Sequence, residues 1–355
     1  MKSFFHSFEQ RVNRVLGAFR SALGLKRPQV VIPYLSYGRC DGAHTSVRVM
    51  GRVVEEAKRF EFSPSTGGLS HFLQVIRLFL TPKVPHARVL ATLKGHPFSL
   101  RCNEEGFFSE VLKIEEKSEE EKLQALSVSF SVSGQTERSF PAEFLTPTEE
   151  THCLLISDVD DTVIKSRATN FLRLAFNTLF YPVEKRKTFV EASRVYQALK
   201  KGKDHKAQNL LFYVSSSSWN LYPLLQGFLE LNKFPAGPLI LQDHASERKK
   251  DPQDNHTHKL DRVLEIAAFY PEYPLILLGD AGQRDPFLYL EAAKQLPGRV
   301  KVILIRRSWW TGKTKDTQAL QEEALHLGVA LIYFEDLSQL KDELKEFMRL
   351  DEIPL

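Results

Sequence analysis

The chain has no run of about 18 uninterrupted apolar residues, the length a helix needs to cross a bilayer, and its first residues lack the apolar core of a secretory signal. The expected location is the cytoplasm, with peripheral contact at a membrane surface allowed. Cysteine is scarce: Cys40, Cys102 and Cys153 are odd in number, widely spaced and never arranged as Cys-x-x-Cys. That excludes a disulfide framework and a zinc cluster, and a reducing compartment is expected. Charge imbalance is also small, 48 basic against 44 acidic residues for a net +4. No nucleic-acid partner is expected from that value, although an anionic partner is tolerated. With 43% hydrophobic and 26% charged residues, disorder of the whole chain is excluded. At 355 residues, two domains, or one large domain with an extension, are the starting expectation.

Residues 1–27 read as an N-terminal amphipathic helix. Phe4, Phe5, Phe8, Val12, Val15, Leu16, Phe19 and Leu23 share one arc, and Lys2, Arg11, Arg14 and Arg20 lie outside it. Such a face packs on the protein or lies in a membrane interface. From 28 to 148 the pattern becomes short alternating runs, Val30–Ile32, Ser46–Met50, Ala87–Leu93 and Leu126–Val132, which predict an antiparallel β-sandwich-like domain. A partly helical stretch is expected within Glu55–Leu80. Pro141, Pro147 and their polar neighbours form a linker, and residues 149–355 form the second domain. There, Cys153–Ile156, Leu210–Val214, Pro238–Leu241, Leu275–Leu278, Val300–Ile305 and Val329–Tyr333 alternate with helical patterns. Near-continuous apolar strands separated by helices predict an α/β domain with a Rossmann-like parallel sheet covered on both faces.

In an open parallel sheet, ligands collect where the carboxyl ends of the strands lie. The first run is followed by Ser157-Asp158-Val159-Asp160-Asp161-Thr162, the second by Ser215-Ser216-Ser217-Ser218, and the fourth by Gly279-Asp280-Ala281-Gly282-Gln283-Arg284-Asp285. Asp158 and Asp160 are two apart and project to one side, whereas Asp161 points away. With Asp280 they make an all-oxygen donor set that suits Mg²⁺, a cation that keeps waters and takes phosphate oxygens. A phosphate ester is the implied substrate. A carboxylate can attack phosphorus, a second acid can serve the leaving oxygen and the water, and hydroxyl and lysine donors can balance the equatorial oxygens. Any one of these strand ends alone would read as a helix cap or solvated turn; three in chain order point to a site.

The order of motifs resembles the haloacid dehalogenase superfamily. More narrowly, SDVDDTVIK from Ser157, YVSSSSWNLYP from Tyr213 and LLGDAGQRDPFLY from Leu277 are similar to the catalytic domain of the actin-patch type of Mg²⁺-dependent phosphatidate phosphatases. The similarity covers about residues 150–335. A looser one reaches Pro33–Gly38 and Val47–Val53 of the leading β-domain. The resemblance implies Asp158 as nucleophile, Asp160 as general acid and base, and Ser215, Ser216 and Thr162 at the phosphate. It also implies Mg²⁺ held by Asp158, Asp160 and Asp280 with Asp285 in support. Lys259 opens a predicted helix where the superfamily lysine sits, but Lys249 and Lys250 remain alternatives. Ser218 stands where relatives often carry proline.

Residues 163–209 form an insert where the superfamily places a small helical cap. Phe171, Leu172, Leu174, Phe176, Leu179 and Phe180 occur there among Lys165, Arg167, Arg173, Lys185, Arg186 and Lys187. This composition suits a packed cap helix or an apolar, cation-rimmed entrance for an anionic phospholipid. Hydrolysis of phosphatidate to diacylglycerol is the expected activity; a soluble phosphomonoester, or a non-catalytic membrane or protein scaffold, is the alternative. Trp219, Asn220 and Tyr222 either line the pocket or anchor the following helix. His244, His256 and His258 lack metal spacing and are expected to be solvated.

Overall fold

The computed structural model describes residues 28–56, 81–115, 128–133, 138–159, 193–202, 207–242, 257–281, 284–307 and 315–334. The expected helix over 1–27, most of Glu55–Leu80 and most of the cap insert lie outside them. Two compact units are present, Met1–Thr146 with Trp219–Gly227, and Pro147–Ser218 with Phe228–Leu355.

The first unit holds eight strands: β1 (Gln29–Cys40), β2 (Thr45–Glu55), β3 (Arg88–Leu93), β4 (His96–Arg101), β5 (Phe107–Ile114), β6 (Val128–Val132), β7 (Phe140–Ala142) and β8 (Phe144–Leu145). They form two four-stranded sheets, ordered β5-β2-β1-β8 and β4-β3-β6-β7. Pairing is antiparallel except between β1 and β8. Alternation puts Val47, Val49 and Val53 of one sheet and Val89, Ala91, Leu93, Val128, Phe130 and Val132 of the other into one shared core.

Trp219–Gly227 belongs to this unit although it lies far along the chain. The Trp219 ring stacks on Phe107 with centroids 4.0 Å apart, and Tyr222 stacks on Tyr34 at 3.6 Å. Asn220 Oδ1 accepts from Arg52 and from Lys83 Nζ, the latter at 2.6 Å, while its amide donates to Glu105 Oε1 at 3.4 Å. All three residues are buried, so they serve as anchors.

The second unit contains β9 (Leu154–Asp158), β10 (Leu210–Ser218), β11 (Leu239–Gln242), β12 (Leu275–Asp280), β13 (Val300–Arg306) and β14 (Ala330–Phe334). They form one fully parallel sheet ordered β11-β10-β9-β12-β13-β14. Every residue of β9, β11 and β12 is buried, as expected of strands covered on both faces. Helical segments are α1 (residues 193–201), α2 (Tyr222–Leu231), of which residues 222–227 fall in the first unit, α3 (Thr257–Phe269), α4 (Asp285–Gln295) and α5 (Lys315–His326). The chain moves outward from β9 through β10 to β11 and then returns to the other side of β9 as β12. The topological switch point therefore falls between β9 and β12, where such sheets bind ligands. Among the described residues no helix is long and apolar enough to cross a membrane.

Candidate active site

Asp158 ends β9 and Asp280 ends β12, on either side of the switch point. The register between these strands runs to Leu278↔Ser157, so both carboxylates stand just past the last paired residues. On the other side Val214 pairs with Asp158, which puts Ser215 one residue beyond the level of Asp158. Asp158 and Ser215 are 0% exposed and Asp280 is 2% exposed. β10 continues through Ser218, further than its apolar run indicated, and the Ser217 amide donates to Ser215 Oγ at 3.0 Å. Ser216 lies half-buried in the same strand end. Asp160, Thr162, Lys249 and Lys250 lie outside the described residues.

Lys259, in the first turn of α3, reaches this strand end. Its Nζ lies 2.9 Å from Asp158 Oδ1 and donates a 3.0 Å hydrogen bond to Asp285 Oδ1. At 4% exposure the ammonium has left bulk water, a loss of several kcal/mol that only paired opposite charge offsets. The inward face of α3 is set by Val263, Ile266 and Ala267, which are buried, with Leu260 and Leu264 half-buried. His258, expected in solvent, is 3% exposed. It precedes Lys259 on the turn that dips toward the sheet, so burial of the lysine carries its neighbour inside.

Asp285 is the first residue of α4 and has both oxygens engaged. Oδ1 accepts from Lys259, and Oδ2 accepts from the Asp280 amide at 3.2 Å. Asp285 thus ties the lysine to the end of β12. The approach depends on Gly279, where a Cβ would stand 2.7 Å from the Tyr289 ring and 2.8 Å from Asp285 Cβ. Tyr289 donates to the Leu278 carbonyl at 2.9 Å. Burial, followed by the charges of Asp285 and Asp158, pushes the Tyr289 phenol well above its ordinary value, so it stays protonated.

Sequence reasoning missed Arg306, whose Nε lies 3.8 Å from Asp280 Oδ2. It follows the apolar run Val300–Ile305, so inspection of that strand end, like the other three, would have found it. Ser157 and Tyr196 were also missed. Of the expected insert, residues 193–201 are helical and hold Tyr196 at 3% exposure.

Asp158 and Asp280 offer buried carboxylate oxygens from adjacent strands. Among the described residues no cluster of three acidic, histidine or cysteine side chains forms a complete metal cage. A cation that needs only one or two carboxylates and keeps its waters, as Mg²⁺ does, fits this donor set. With a lysine, a serine and backbone N–H groups nearby, the arrangement can bind a tetrahedral oxyanion and present a carboxylate to it.

Residues 153–307 match the family model described as phosphatidate phosphatase APP1, catalytic domain. Phosphatidate phosphatase APP1 of Saccharomyces cerevisiae is 25% identical over 242 residues, which cover 65% of this chain and 40% of that protein. An uncharacterized protein of Schizosaccharomyces pombe is 22% identical over 243 residues, covering 67% of this chain and 38% of its own length. The chain therefore spans about two fifths of the length of these curated relatives. Among solved structures, a carbohydrate acetylesterase from Xanthomonas citri aligns at 8% identity and a TM-score of 0.27, over 84% of this chain and 74% of that one. A likeness that low bears on neither fold nor function.

Proposed function

We propose that the chain, whose residues 153–307 match the family model described as phosphatidate phosphatase APP1, catalytic domain, is a Mg²⁺-dependent phosphatase of haloacid dehalogenase type that hydrolyses phosphatidate to diacylglycerol and phosphate. The observation that carries the proposal is the fully buried Asp158 at the end of the central strand, ion-paired to Lys259 and flanked by Asp280.

In this reading an Asp158 carboxylate oxygen attacks phosphorus and the bond from phosphorus to the lipid oxygen breaks, leaving an aspartyl-phosphate. Asp160 gives its proton to the departing oxygen, then takes one from the water that hydrolyses the intermediate. Lys259 and Ser215, with Ser216 and Thr162, hold the equatorial oxygens as charge gathers there. Asp285 keeps Lys259 in place. Asp158, Asp160 and Asp280 would hold Mg²⁺, which supplies charge neutralisation at the phosphoryl group. The basic and apolar composition of residues 163–192 supports a lipid substrate with an anionic head.

Purified protein with Mg²⁺ is to be assayed on phosphatidate in mixed micelles beside a panel of soluble phosphomonoesters. Phosphate release with preference for phosphatidate is expected. Preference for a soluble ester would overturn the lipid substrate and leave the chemistry standing, whereas unchanged release by Asp158→Asn would overturn the chemistry.

A further inference from the structure

Ser157 occupies a position where an apolar residue would be expected, inside a five-residue strand that is buried throughout. A buried hydroxyl is destabilising unless it is hydrogen-bonded. Here it is bonded twice. Ser157 Oγ donates to the main-chain carbonyl of Asp158 at 2.9 Å and lies 2.7 Å from Tyr196 Oη. A serine has one proton, and the Asp158 carbonyl takes it, so Tyr196 is the donor in the second bond. Burial raises the Tyr196 phenol above its ordinary range and keeps that proton in place. The ring itself is held by Tyr213, with centroids 6.3 Å apart, and by the edge of Phe234 at 5.4 Å.

We infer that Tyr196 and Ser157 form a positioning relay behind the nucleophile, fixing the Asp158 backbone and with it the direction of attack of its carboxylate. The inference rests on the phosphatase reading above. Neither hydroxyl takes part in the proposed chemistry: one bonds the carbonyl and the other bonds the first hydroxyl, so both act through Asp158. The Asp158 peptide is where this matters, because regular pairing ends there: the Val159 amide still donates to Val214 at 3.1 Å, but Ser157 is the last residue of β9 paired to β12. A bond to the carbonyl of Asp158 restrains its ψ where the sheet has stopped doing so. A reacting group displaced by about 1 Å can lose on the order of 100-fold in rate, which sets the scale of what such a restraint protects.

The test compares full-length wild type, Tyr196→Phe, Ser157→Ala and the double variant, each assayed well below its melting temperature on the best substrate. Tyr196→Phe keeps the stacked ring and is expected to lower kcat about 10- to 100-fold with KM unchanged. Ser157→Ala is expected to match or exceed it. The double variant should be no slower than Ser157→Ala alone, since both act through one carbonyl. Ser157→Thr, which keeps the hydroxyl, should recover part of the rate. A lowered melting temperature with unaltered kcat, or losses that multiply in the double variant, would overturn the relay while leaving the phosphatase standing. A wild type inactive on every ester with Mg²⁺ would overturn the phosphatase reading and the relay with it.

Discussion

Replacing Lys259 by methionine removes the ammonium that stands between two buried carboxylates, 2.9 Å from Asp158 Oδ1 and 3.0 Å from Asp285 Oδ1. The carboxylate side chains are 0% and 1% exposed, so water cannot take over from the lost cation. Breaking a buried pair by removing one partner costs about 3–5 kcal/mol. For a domain near 200 residues each kcal/mol moves the melting temperature by about 2–4 °C, so a fall of about 6–20 °C is expected at pH 8 in chelator. Thermal unfolding should show this gap between wild type and variant, with Lys259→Arg retaining more stability than methionine. A gap that is absent, or equal for arginine and methionine, would refute the charge-neutralising role assigned to Lys259.

Gly279→Ala drives a methyl group against Asp285 and the Tyr289 ring, and overpacking of this kind costs about 1–3 kcal/mol. Phosphate release should fall at least about tenfold, since Asp285 orients Lys259. Asn209→Ala deletes a buried amide that accepts from the His152 and Cys153 amides at 3.0 and 3.1 Å and donates to the Leu199 carbonyl at 3.0 Å. A loss of about 2–4 kcal/mol is expected in denaturant titration, because buried backbone groups lose their partners. Burial pushes the Cys102 and Cys153 thiols up to about 12, so only half-buried Cys40 should react with a thiol reagent at pH 8.5 in the native state. The same two thiols ionise near pH 9 once unfolded, so their contribution to stability is present below pH 9 and declines as pH rises toward 12.

The parallel sheet was legible because each of its strands contains a near-continuous apolar run, and each of the six runs found in the sequence is a strand. β4 and β5 were not singled out. Both are edge strands, exposing residues such as Arg101, Glu110 and Lys113, and a half-solvated edge has a weaker apolar signal. Asp158, Ser215 and Asp280 could be found because each lies within two residues of the end of an apolar run. Lys259 could not be separated from Lys249 and Lys250 by sequence, since a lysine arrives from a helix and its reach depends on tertiary packing. The anchoring of Trp219 and Tyr222 by Phe107 and Tyr34 joins residues far apart in the chain, which no local pattern records. Tyr196 has the same difficulty, but Ser157 carried a faint signal as a polar residue inside an apolar strand. His258 was misread because a histidine beside a lysine looks solvated until the lysine itself is found buried.

The covalent role of Asp158 is tested most directly by an acid-quenched single turnover on phosphatidate carrying a radiolabelled phosphate, with Mg²⁺ present. The expected result is label retained on the peptide that contains Asp158, released by hydroxylamine and absent in Asp158→Asn. Turnover in which phosphate is released and no label is ever found on that peptide would contradict the account.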